Sequence, residues 1–348
     1  MDMDLKGLHE QVKDTIASLD LQRIWPGFLP LRFALYDDER CVFDGRDVPK
    51  TDDFCANTSI VYQGEQIAIW KIQQEMDISV LTSKIVHEMF HGYQARTGWD
   101  CWPNELEALY RYRYDGEDLG LKLRENELLL MLLEERNDAV LGELLALRKL
   151  RSLRSPYEFS YESHVEEIEG TANYVEWQVL KQLHESRAKE LEAHMRSVLT
   201  TPEAMVPIRI SCYASGALTI HSLREAGRYS FEPVVRPVIC SALEGVLPWD
   251  GAFPGRADRI RRLTDTVAAF HAETEKIIHA ALEQDRVVLQ GPATLVGLNV
   301  YNARCYQGFL TSTYFLMYRQ EDTDKLLHGD FVIQMQDEST IAAVYQWI

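Results

Sequence analysis

The spacing of apolar and polar residues changes several times along the chain. Over residues 5–24 it predicts a short amphipathic helix, closed by Trp25-Pro26-Gly27. The runs LRFALYD at 31–37 and CVFD at 41–44 read as strands. NTSIVYQGEQIAIWKI at 57–72 predicts a hairpin, with arms rich in Ile, Val, Tyr and Trp and Gly64 in the turn. Asp77 can cap a following helix, where Ile78, Leu81, Ile85 and Met89 recur at helical spacing. From Pro103 to about Ala226 the pattern is almost wholly helical. Pro103 suits a first turn, and Asp115-Gly116 breaks that helix. A long helix is expected from about Leu121 to Leu150, with Pro156 separating it from another that begins near Ser163. A further helix covers 206–227 and ends at Gly227. A Pro/Gly-rich loop at 231–256 precedes a helix at 257–284. After Asp285 the runs turn β-branched and aromatic with Gly, Asp and Asn breaks, which predicts strands. The expected class is α+β. Residues 1–285 form a domain with a small twisted sheet and a mostly helical remainder, and 286–348 form a β-rich element.

At 348 residues the chain can bury a large core. Its 46% hydrophobic and 26% charged residues mark a globular chain rather than a disordered one. A net charge of −18 argues against nucleic acid and anionic membranes as partners. The start MDMDLKGLHEQVKD lacks the basic and apolar regions of a signal peptide. The longest apolar run, LLLMLL at 128–133, falls far short of the roughly 18 residues of a membrane span. The six cysteines are scattered without a CxxC pair, as expected of reduced thiols in a cytoplasmic protein.

Candidate chemistry centres on KIVHEMFHGYQ at 84–94. His87 and His91 are four apart, so one helix face can present both imidazoles to one ion. Zn²⁺ takes such nitrogens at about 2.0–2.1 Å, and a catalytic site keeps a position open for water. Glu88 would lie beside that water as general base. The same segment contains one ExxH unit, Glu88 to His91, of the kind that builds di-iron carboxylate sites. No other histidine has a glutamate three residues before it, so that reading lacks its second half. Two histidines need a further protein ligand. The metzincin continuation is excluded, because Gln94 stands where it requires glycine and Thr97 where it requires histidine. A glutamate from a second helix is the other common solution, and SHVEEIEGTANYVEW at 163–177 offers several. Glu169 precedes a small triplet, Gly170-Thr171-Ala172, that lets a neighbouring helix approach. Ser163 and Glu166 fit a capping box, and Glu167 and Glu176 look solvated.

HEMFH followed by EGTANY resembles the gluzincin metallopeptidases, the peptidase MA-like group with HExxH and a later EGxAxY. The resemblance covers roughly residues 50–225. It implies a zincin-like domain, a zinc ion held by His87, His91 and Glu169, and hydrolysis of a peptide or protein substrate. YASGA at 213–217 resembles a tyrosine-bearing helix segment of some of these proteins. Tyr213 could donate to a substrate oxyanion, or be a core tyrosine. Arg209 could assist it or bind a substrate carboxylate. Asn173 could accept from a ligand histidine, or be a surface residue. Trp99 and Trp102 could line the cleft or pack in the core, and Cys101 is a conceivable ligand. A peptide could add as a strand near 57–63. The aminopeptidase GxMEN motif is missing. The alternative is a catalytically inactive zincin-fold binding or scaffold protein, against which the intact Glu88 argues.

Overall fold

The computed structural model describes residues 4–229, 231, 238–251 and 256–347. At the N-terminus α1 (Leu5–Ala17) and α2 (Leu21–Ile24) replace the single helix expected over 5–24. The chain restarts because the Asp20 side chain accepts from the Arg23 N–H and caps a new turn. A five-stranded sheet follows, made of β1 (Phe33–Tyr36), β2 (Cys41–Phe43), β3 (Arg46–Val48), β4 (Thr58–Tyr62) and β5 (Glu65–Lys71). Its order is β3-β2-β1-β5-β4, with β1 and β5 parallel and the other pairs antiparallel. The expected hairpin is β4–β5, and β4 lies at the sheet edge. The short, polar β3 had no strand-like signal. Alternation sorts the faces: Leu35, Val42 and Ala68 join the main core, whereas Ala34, Tyr36, Ile67 and Ile69 pack with Phe54 behind the sheet.

On the main-core face lies α3 (Ile78–Arg96), capped by Asp77 as expected. Gly92 permits the contact, since a Cβ there would fall 2.4 Å from Leu31 Cδ1 and 2.7 Å from Ser59 Oγ. Then come α4 (Glu105–Arg111), α5 (Gly116–Glu134), α6 (Asp138–Arg154) and α7 (Pro156–Val165). A π-helical turn, Glu166–Gly170, joins α7 to α8 (Thr171–Leu183). Next are α9 (Glu185–Thr200), a 3₁₀ turn (Pro202–Met205), α10 (Arg209–Glu225), α11 (Val238–Ala242) and α12 (Arg256–Gln284). Of the loop expected at 231–256, residues 232–237 and 252–255 lie outside the described residues, and the short helix α11 interrupts the part that is described.

Three helix boundaries differ from expectation. Pro103 precedes the Asn104 cap, and Asp115-Gly116 opens α5 as well as ending the preceding segment. The single helix expected from Leu121 to Leu150 is two, because Asn137 accepts from Ala139 N and Val140 N and starts α6. Pro156 does mark the break between α6 and the next helix, but that helix begins at Pro156 rather than near Ser163. It sits in the first turn of α7, where a missing N–H costs nothing, and the helix runs on through Ser163. There is therefore no capping box at Ser163.

Glu166 instead joins a buried ionic cluster between α5, α6, the π turn and α10. Arg148 binds both its oxygens, at 2.6 and 2.9 Å, while Lys122 and Ser215 donate to Oε1 at 2.6 and 2.5 Å. Arg151 similarly binds Glu162 at 2.7 and 2.9 Å and reaches Asp118 and Glu125. Burial raises the Glu162 and Glu166 carboxyls, but the adjacent cations reverse this and hold both below the usual range.

The C-terminal strands are β6 (Val287–Leu298), β7 (Arg304–Tyr306), β8 (Phe309–Ser312), β9 (Phe315–Gln320), β10 (Thr323–His328), β11 (Asp330–Met335) and β12 (Thr340–Trp347). They form an antiparallel sheet of order β10-β9-β6-β12-β11-β8-β7. Its core includes Leu295, Leu310, Leu316, Phe331 and Ile341, against which Leu106, Leu109 and Tyr110 of α4 pack. On the other face Ile278 and Ala281 of α12 meet Val332. Among the described residues no helix is long and apolar enough to cross a membrane.

Candidate metal centre

On α3 the His87 and His91 rings face one another, with their Nε2 atoms 3.1 Å apart. Glu169 Oε2 lies 3.2 Å from His91 Nε2 and 3.7 Å from His87 Nε2. A tetrahedral ion with ligands at about 2.0–2.1 Å spaces those ligands about 3.3–3.4 Å apart. The point in their plane equidistant from the three atoms lies about 1.9 Å from each, close to the usual zinc–ligand length, so the three atoms fit such an ion. Among the described residues this is the group of His, Cys, Asp and Glu side chains arranged to hold a metal. Cys101 is not in it and is buried in the main core.

The π turn brings Glu169 to this position. At the turn α10 crosses so closely that a Cβ on Gly170 would fall 2.5 Å from Gly216 Cα, and one on Gly216 would fall 2.7 Å from the Glu166 carbonyl oxygen. The small residue after Glu169 thus serves the close approach expected of it. Arg209, the first residue of α10, donates through Nη2 to Glu169 Oε1 at 2.6 Å and through Nη1 to Glu105. One Glu169 oxygen is therefore fixed while the other faces the imidazoles.

Both rings are also held from behind. Gln94 Oε1 accepts from His91 Nδ1 at 2.8 Å, while Gln94 Nε2 donates to the Ile168 carbonyl and Thr171 Oγ1 at 3.0 and 2.8 Å. This places the proton on His91 Nδ1 and leaves its Nε2 lone pair directed at the centre. Glu176 Oε2 lies 3.2 Å from His87 Nδ1, and Lys84 lies 3.4 Å from the other Glu176 oxygen. Glu176 is 6% exposed and Glu167 3%, so neither is solvated as expected. Glu167 instead accepts from Tyr229 and from Val238 N. Asn173 does not orient a histidine; it donates to the Tyr213 carbonyl at 3.2 Å. The signals for the two orienting residues were spacing alone: Gln94 is three after His91, and Glu176 is seven after Glu169. Replacing Gln94 with Ala is expected to lower zinc affinity about 10–100-fold, the usual worth of such a partner. Competition with a fluorescent chelator would measure it, and unchanged affinity would remove Gln94 from this role.

The charges favour a cation. Burial lowers the His87 imidazole, but Glu169 and Glu176 overturn that and hold it up at about 10. Burial pushes Glu169 up, yet His91 and Arg209 carry it well below the usual carboxylate range. Glu88 is half-buried, and its carboxyl is raised by burial against the pull of His87 and His91. Among the described residues no hydrogen bond or ion pair engages the Glu88 side chain. The Tyr213 ring lies parallel to His87, with centroids 6.5 Å apart, and its hydroxyl oxygen accepts from Arg209 Nη2 at 3.1 Å. The structure thus brings Tyr213 and Arg209 to the centre. Trp102 stands 6.3 Å from His91, whereas Trp99 is buried in the core.

No family model, curated protein or solved structure matches the chain.

Proposed function

We propose that the chain is a zinc-dependent hydrolase of the gluzincin type, with a zincin-like domain that cleaves peptide bonds. The observation that carries the reading is the convergence of His87 Nε2, His91 Nε2 and Glu169 Oε2 beside an unengaged Glu88. Two imidazole nitrogens and one carboxylate oxygen are a donor set that suits zinc and leaves a fourth position open. When bound there, zinc supplies a Lewis acid and lowers the pKa of a coordinated water.

The protein's own groups divide the remaining work. Glu88 takes the proton of the attacking water and passes it to the leaving amine. Burial raises the Glu88 carboxyl, which makes its carboxylate a stronger proton acceptor than an exposed one. Glu176 and Gln94 fix the rings, and Arg209 fixes Glu169. Tyr213, whose oxygen accepts from Arg209, is the group beside the centre that donates to a developing oxyanion. An extended substrate adds alongside β4, the edge strand nearest α3, through backbone hydrogen bonds.

Elemental analysis of protein purified without chelator is expected to find one zinc per chain, lost in the His87→Ala/His91→Ala double variant. A broad peptide library should reveal cleavage by the zinc-loaded wild type. Full zinc in the double variant would overturn the metal assignment. Full zinc in the wild type with no cleavage would favour a binding protein over a hydrolase.

A further inference from the structure

We propose that the C-terminal sheet supplies one wall of a substrate subsite beside the metal centre, where Tyr301 selects an apolar, preferentially aromatic, peptide side chain. The proposal rests on the hydrolase reading above and adds the substrate class.

A row of five rings runs through the centre. Trp102 lies 6.3 Å from His91, His91 4.9 Å from His87, His87 6.5 Å from Tyr213, and Tyr213 6.1 Å from Tyr301. The inner three surround the candidate reaction centre. The two ends are open to solvent: Trp102 is 46% exposed and Tyr301 50%. Large aromatic rings left half bare beside a candidate reaction centre offer area that a substrate side chain can cover. Tyr301 meets Tyr213 at 77°, so its ring stands edge to face on the innermost tyrosine.

The position of Tyr301 is built. Its N–H donates to Asn299 Oδ1, and the Asn299 amide donates to Thr313 Oγ1 at 3.0 Å. Thr313 in turn donates to Asn302 Oδ1 at 2.9 Å, and Val300 packs on the sheet core. The short helix α4 sets the sheet against the centre. Its Glu105 pairs with Arg209, while Leu106, Leu109 and Tyr110 pack on the sheet core. Charge recognition is disfavoured here, because both Arg209 Nη atoms are committed to Glu105, Glu169 and Tyr213. Area on the rings is what remains to be used.

The test compares two zinc-chelating probes on zinc-loaded protein by calorimetry. Acetohydroxamate carries no side chain to fill the subsite, and 3-phenylpropanohydroxamate carries a benzyl group. Wild type is expected to prefer the benzyl probe by roughly five- to tenfold, the scale of an aromatic contact. Tyr301→Ala should abolish that preference and leave acetohydroxamate affinity unchanged, whereas Tyr301→Phe should keep it. A preference that survives Tyr301→Ala, or is absent in wild type while acetohydroxamate binds, overturns the subsite alone. Failure of zinc-loaded wild type to bind acetohydroxamate overturns the metal-centre reading and the subsite with it.

Discussion

Glu88→Gln is expected to lower peptide hydrolysis by a factor of about 10²–10⁴ while zinc content and thermal stability stay at the wild-type level. Gln keeps the shape of the side chain and removes the base. Glu88 has no structural partner to lose among the described residues, so folding should not register the change. It is also not one of the three convergent donors, so zinc should be retained. Glu169→Gln is the contrasting case, because a neutral amide is a poorer ligand than a carboxylate. It should weaken zinc retention along with activity. The two variants need to be compared at equal zinc occupancy on one cleaved peptide. Equal turnover by wild type and Glu88→Gln would leave the centre without its base.

The largest expected effect on stability comes from Arg148→Met. Arg148 binds both oxygens of Glu166 within the buried cluster, and Met fills similar volume without charge. Removing one partner of a buried pair typically costs about 3–5 kcal/mol, because the other charge is left uncompensated. Chemical denaturation at pH 7 measures the loss. The pH dependence gives a second check. The Glu166 carboxyl is depressed in the folded protein, so its pairing contributes stability above the ordinary carboxylate range and loses it as pH falls. The gap between wild type and variant should therefore be widest near neutrality and narrow only below about pH 4.5. A gap under about 1 kcal/mol at pH 7, or one that widens in acid, would show that Arg148 does not hold Glu166 in this way.

The legible parts of the molecule were those governed by short-range spacing. His87 and His91 follow from a four-residue interval on a capped helix, and the β4–β5 hairpin from two β-rich arms around Gly64. The β-rich texture after Asp285 likewise announced the second sheet. Glu169 was singled out by the small triplet that follows it and by its resemblance to EGxAxY, and it lies beside both histidines. What could not be read depended on partners far along the chain. Glu166 mimicked a capping residue because Ser163 stands three before it, yet its partners Lys122, Arg148 and Ser215 come from three other helices. Glu176 passed for a solvated residue because nothing local reveals that α3 covers it with His87 and Lys84. The break before α6 turned on Asn137 acting as a cap within a run rich in helix formers.

The π turn has a consequence for how this helix can vary. Within it Glu166, with Glu162 before the turn, faces the ionic cluster, while Glu169, with Glu176 after the turn, faces the two histidines. Each residue of an α-helix advances the side-chain direction by about 100°. The wide turn absorbs a different advance and so acts as a phase adapter between two faces that a uniform α-helix would not align. Loss of a single residue between Glu166 and Glu169 would rotate one half against the other. The chain could then keep its ionic cluster or its donor triad in register, but not both. Length is therefore constrained in this segment more tightly than composition, and substitution at Ile168 is a milder change than its deletion.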